Sequence, residues 1–65
     1  MRKVFFVFGI IYVSKVTKEK RPYVSACTYD HYDDAFKAML QHQSGMRRDG
    51  FYIIKSNVYR KVIEL

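Results

Sequence analysis

Residues 4–13 read Val-Phe-Phe-Val-Phe-Gly-Ile-Ile-Tyr-Val, ten positions in a row without a charge. β-Branched and aromatic side chains dominate the run, and these types fit a pleated strand. Successive side chains of a strand point to opposite faces. One face therefore carries Phe5, Val7, Gly9, Ile11 and Val13, and the other Val4, Phe6, Phe8, Ile10 and Tyr12. Both are apolar, which predicts a central strand covered on two sides. The polar residues 14–21 follow as a hairpin connection. Residues 22–28 then alternate, Val24 and Ala26 against Tyr23, Ser25 and Cys27, as a second strand at an edge, opened by Pro22 and antiparallel to the first.

At Asp30 the period changes. Asp30 is read as an N-cap, with Asp33 and Asp34 in the first turn where the helix macrodipole favours negative charge. Tyr32, Ala35, Phe36, Met39 and Leu40 recur at spacings of three and four and make one apolar stripe, with Gln41 and Gln43 facing away or at its margin. Ser44-Gly45 is the expected stop, Gly45 taking the left-handed position after the last turn. Asp49-Gly50 signals a turn, and Phe51-Tyr52-Ile53-Ile54 forms a third strand. Ser56-Asn57 then reads as a turn into a fourth strand over residues 58–65. A bulge with continuation, or a short terminal helix, are the alternatives.

This order defines an α+β fold, β-β-α-β with a further C-terminal strand as an option. It has a small antiparallel-type sheet of three or four strands and one helix on one face. The hairpin sets the second strand beside the first, and the third is expected on the free side, giving the order 2-1-3. The helix is read as a right-handed crossover to a third strand parallel to the first. One helix covers one face. The other would be left apolar and open unless the C-terminal segment or a second molecule covers it, so a two-fold homodimer is expected.

Sixty-five residues make one domain, residues 1–65, with a small core. The single cysteine, Cys27, cannot form an internal disulfide, which fits a reducing cytoplasm. The apolar run follows Arg2-Lys3, as a secretory signal would, but Ser14-Lys15-Val16-Thr17-Lys18 offers no small-x-small cleavage site. It is also well short of the roughly 20 residues of a membrane helix. A strand is the expected reading, with no membrane partner.

Charge adds a direction. Twelve Lys and Arg against six Asp and Glu give +6, which favours an acidic partner, protein or nucleic acid. The helix returns toward the hairpin, so Lys15, Lys18, Lys20, Arg21, Arg47 and Arg48 should gather at one end and Asp30, Asp33 and Asp34 at the other. Lys18, Lys20, Arg21, Arg47 and Arg48 are the candidate charges of a partner site, with Tyr23 and Tyr52 as its anchors.

Catalytic chemistry is not indicated. His31 and His42 lie eleven residues apart, about 16 Å along a helix, too far to share a metal. No cysteine stands at ligand spacing to either, and Asp33-Asp34 are explained as first-turn acids. There is no glycine-rich phosphate loop, and no cofactor is expected. Basic and aromatic residues do interleave, as in single-strand binders: Tyr23, Tyr29, Phe51, Tyr52 and Tyr59 with Arg21, Arg47, Arg48, Arg60 and Lys61. Arg48-Asp49-Gly50-Phe51-Tyr52 resembles part of the aromatic RNA-binding strand of RRM domains. It departs at Asp49 and lacks the small-aromatic pattern that follows, and one helix stands where that fold has two, so no function is carried over. The expected function is a small non-enzymatic binding protein, a homodimer, that regulates or inhibits a larger acidic protein by occupying its surface. Nucleic-acid binding through the basic end is the alternative. Accessory proteins of viruses and mobile elements often have this profile.

Overall fold

A computed structural model describes residues 1–65. Three strands and one helix follow the chain as β1 (Arg2–Ser14), β2 (Lys20–Val24), α1 (Tyr32–Arg48) and β3 (Phe51–Glu64). The sheet has the order β2-β1-β3 with β1 at its centre, where the uncharged run places it, and both of its pairings are antiparallel.

The expected parallel crossover is not what forms. Helix α1 ends at the hairpin end of the sheet, where the Lys15 backbone N–H donates to the Gly50 carbonyl at 3.1 Å. Chain leaving that point can pair with β1 only by running back along it, so Phe51 stands opposite Ser14 and Glu64 opposite Arg2.

Strand boundaries also move: β1 runs from Arg2 to Ser14, past both ends of the uncharged run, and β2 begins at Lys20, two residues before Pro22. β2 stops at Val24, short of Thr28. The Ser25 N–H still donates to the Phe8 carbonyl at 2.9 Å, but the Phe8 N–H turns to the Ser25 hydroxyl oxygen at 3.1 Å. With a side chain standing in for the ladder, the chain bows out and rejoins β1 only at Tyr29, opposite Phe6. β3 is one strand of 14 residues with no turn at Ser56-Asn57. Asn57 pairs across Gly9, and the Ser56 hydroxyl accepts a hydrogen bond from the Gln43 amide. The irregularity falls at Ile54, an extra residue between the Lys55–Ile11 and Ile53–Tyr12 pairs.

The helix differs at both ends. His31, not Asp30, is its N-cap, with no side-chain cap bond, while Asp33 and Asp34 keep their first-turn places. It continues through Gly45 to Arg48. Met46 packs on the core, and Arg47 and Arg48 suit the negative end of the dipole. The left-handed residue is Gly50, at φ +93°. The two glycines should therefore respond with opposite signs. Gly45→Ala is expected to stabilise by up to about 1 kcal/mol, since a mid-helix glycine is costly and its new Cβ would meet only Arg48 Nη2 at 3.9 Å. Gly50→Ala is expected to destabilise by about 1–2 kcal/mol, the cost of a side chain in left-handed backbone. Thermal melts of the two variants check both signs.

Phe8 and Ile10 of β1 and Met39 of α1 form the core, with Tyr12, Tyr23, Tyr29, Ala38, Met46, Ile53 and Val58 partly buried against it. The buried line of α1 is Ala35, Met39 and Gln43, not the whole apolar stripe. Gln43, expected at the margin, is buried because Ser56 satisfies its amide. Tyr32, Phe36 and Leu40 lie on the flank and stay substantially exposed.

Candidate functional site: the open face of the sheet

Side chains paired across antiparallel strands share a face. The register therefore sorts the sheet without ambiguity. Phe8, Ile10 and Tyr12 face α1, together with Tyr23 and Arg21 of β2 and Ile53, Ser56 and Val58 of β3. On the opposite side, which no element covers, lie Phe5, Val7, Gly9, Ile11 and Val13 of β1. Pro22 and Val24 flank them on β2, and Tyr52, Asn57 and Tyr59 on β3.

Charge on this open face has one sign. Lys3, Lys20, Lys55 and Lys61 fall on it by register, and none of the six acids does. The aliphatic residues Ile11, Val13 and Val24 lie between these lysines, along with Val7, which is itself buried. The result is an apolar centre within a cationic rim.

Gly9 shapes the centre. Having no side chain, it leaves a groove of about 480 Å³ whose walls include Val7, Ile11, Pro22, Val24 and Tyr59, with Lys55, Asn57 and Lys61 among its polar lining. The Tyr59 ring closes one side. A Cβ built on Gly9 would lie 3.1 Å from its Cε2 atom.

The residues singled out from the sequence are divided by this geometry. Tyr52 is on the open face, about half-exposed, with Lys15 Nζ 4.9 Å from its ring centroid. Lys20 is at the same end of that face, opposite Val13. Lys18 sits in the connecting turn at φ +64°, and Arg47 and Arg48 are in the last turn of α1, so all of them collect at the hairpin end. Arg21 belongs to the helix side and is paired with Glu19 at 2.8 Å, and that hydrogen bond and charge hold its guanidinium above its ordinary pKa. Tyr23 is half-buried on the helix side, its ring stacked 4.2 Å from the His42 ring, so it does not face the open surface. Lys3, Phe5 and Lys55 carry no site signal in the sequence, and Tyr59 and Lys61 stand out only among the interleaved aromatic and basic residues. Their shared face depends on the pairing register of β3, and only the alternation of residues 55, 57, 59 and 61 hinted at it.

No cluster of three or more His, Cys, Asp or Glu side chains is placed to hold a metal ion, and no helix is long and apolar enough to cross a membrane. Comparison with protein-family models, curated proteins and solved structures finds no match to this chain.

Proposed function

We propose that this protein is a non-enzymatic binding module, one that seats an acidic protein surface on the open face of its sheet and regulates or inhibits the larger protein by occupying that surface. The observation that supports this is the composition of the face. Aliphatic centres ringed by polar residues are the ordinary anatomy of protein interfaces, and a rim of lysines without an acid selects a negative partner and speeds its arrival. Exposed, unpaired Cys27 suits a cytoplasmic setting.

Nucleic acid is the second reading, favoured by the exposed Tyr52 and Tyr59 rings beside Lys55 and Lys61. It ranks lower because Val7, Ile11, Val13 and Val24, which fill the centre, give bases no ring to stack on.

The test is direct binding of a co-purifying protein to the purified chain, compared with the Lys20→Glu/Val24→Glu double variant. Both positions are exposed on β2, so the fold should be kept. A defined acidic protein whose affinity falls at least tenfold in the variant is the expected result. Recovery of nucleic acid alone, with affinity falling steeply as salt rises, would replace the first reading with the second.

A further inference from the structure

The sequence points to the open face as the place for a second copy of the chain, but two such faces would set Lys3, Lys20, Lys55 and Lys61 of each molecule against a surface that also carries lysines and no acid. A different surface fits self-association. β3 is paired with β1 on one side only, so its other edge offers unpaired backbone groups along Phe51–Glu64. The opposite edge of the sheet, β2, is short and carries Pro22.

Helix α1 rides on β1 and β3. One of its flanks, Ala38, Gln41 and His42, lines a groove with Tyr23 and Cys27 on the β2 side. Helical spacing puts Phe36 and Leu40 on the other flank, above the free edge of β3. Phe36 and Leu40 form a ridge there, 39% and 46% exposed, with the Phe36 ring stacked at 6.1 Å on that of Tyr32, which itself packs edge-on against Phe6 of β1. The helix thus carries apolar surface beyond the last strand it covers.

We propose that this overhang and the β3 edge together bind a second copy of the chain, β3 pairing antiparallel with its mate about a two-fold axis to give a six-stranded sheet. Spacing supports a second copy over a lone peptide. Strands lie about 4.8 Å apart, so two helices that each ride between β1 and β3 would stand about two spacings apart, roughly 9–10 Å. Packed helices have axes 8–10 Å apart. One symmetric step covers both edge and ridge, whereas an added peptide strand reaches only the edge.

Area agrees. The isolated chain exposes 4985 Å², against about 4400 Å² for a typical monomer of its mass, and the surplus of about 600 Å² is roughly three-quarters of the 800 Å² or so that each partner buries in a standard interface. Charge then chooses the register. An axis at Val58 would set Lys55 against Lys61, which is unfavourable. An axis at Tyr59 sets Lys55 against Ile63 and Lys61 against Asn57, with no like charges opposed.

Sedimentation of the full chain without any partner should give a dimer. Leu40→Glu, at an exposed position, should weaken it at least tenfold with unchanged far-UV circular dichroism. On a Cys27→Ser background, Tyr59→Cys should form a covalent dimer on oxidation. Amide exchange should show β3 protected on both edges in the wild type. A wild-type monomer at 100 µM overturns the proposal, as does a dimer that Leu40→Glu leaves intact. The Lys20→Glu/Val24→Glu variant should remain dimeric, so loss of the acidic partner and loss of self-association are separable results.

Discussion

Phe8→Ala is expected to cost the chain about 3–5 kcal/mol of stability, while Phe5→Ala, three positions away on the same strand, costs about 1 kcal/mol. Phe8 is 3% exposed and touches three further rings, those of Tyr23, Tyr29 and His42, at centroid distances of 6.1, 6.3 and 5.9 Å. Truncating a buried phenylalanine costs about 3–5 kcal/mol. A chain of this length has roughly 3–10 kcal/mol of stability in total, so the loss takes from about a third of it to all of it. No second buried cluster exists to compensate: Phe8, Ile10 and Met39 make the one cluster, and Val7 and Ala35 are the other buried apolar residues. Phe5 sits on the open face and is only partly buried, so its removal should cost about 1 kcal/mol. Its effect should appear instead in affinity for the acidic partner. Urea unfolding followed by circular dichroism separates the two; equal midpoints for both variants would mean that the core does not lie where the helix places it.

That asymmetry was only half legible in the sequence. Two apolar faces marked residues 4–13 as the central strand, because nothing else in the chain is greasy enough to need cover on both sides. Which face the helix takes depends on whether residue 8 or residue 7 meets Met39, and no local pattern states it. The direction of β3 was implicit in the chain's own path. A helix returning to the hairpin end delivers the chain beside Ser14, so only an antiparallel strand can follow, and the right-handed crossover rule applies to parallel pairs alone. Local helix signals mark Gly45 as a stop, but Met46, by packing on the core, extends the helix past the glycine's intrinsic cost. Tertiary contacts override the local signal at Ser56-Asn57 as well. Both residues favour turns, yet one bonds a buried glutamine and the other pairs across Gly9.

The candidate site was less legible than the fold. The basic end follows from topology, and Lys18, Lys20, Arg47, Arg48 and Tyr52 do gather there. The open face instead arises from register. A shift of one residue in the pairing of β3 would send Lys55, Tyr59 and Lys61 to the helix side, and the bulge at Ile54 resets that register partway along the strand. Charge counted along a chain cannot see such a change. The same net charge of +6 could be spread over all surfaces or, as here, leave one sheet face with lysines and no acid.

Gly9→Val is expected to abolish binding of the acidic partner while changing the melting temperature by only a few degrees. Gly9 lies in ordinary extended backbone, so a side chain meets no conformational penalty there, and relieving a strand glycine of its entropy cost returns about 0.5–1 kcal/mol. Opposing this, the new Cβ falls 3.1 Å from Tyr59 Cε2 and needs the ring to yield by a few tenths of an ångström. Tyr59 is about half-exposed and can swing outward, so the two effects roughly cancel. Binding has no such compensation. The branched side chain would fill the floor of the groove between Val7, Ile11 and Val24 and exclude any apolar anchor seated there. Gly9→Ala should give an intermediate loss. Titration calorimetry with the acidic partner, beside a thermal melt of each variant, tests the pair; undiminished affinity with valine in the groove would show that the partner docks elsewhere, leaving the hairpin end with Arg47 and Arg48 as the surface to which it binds.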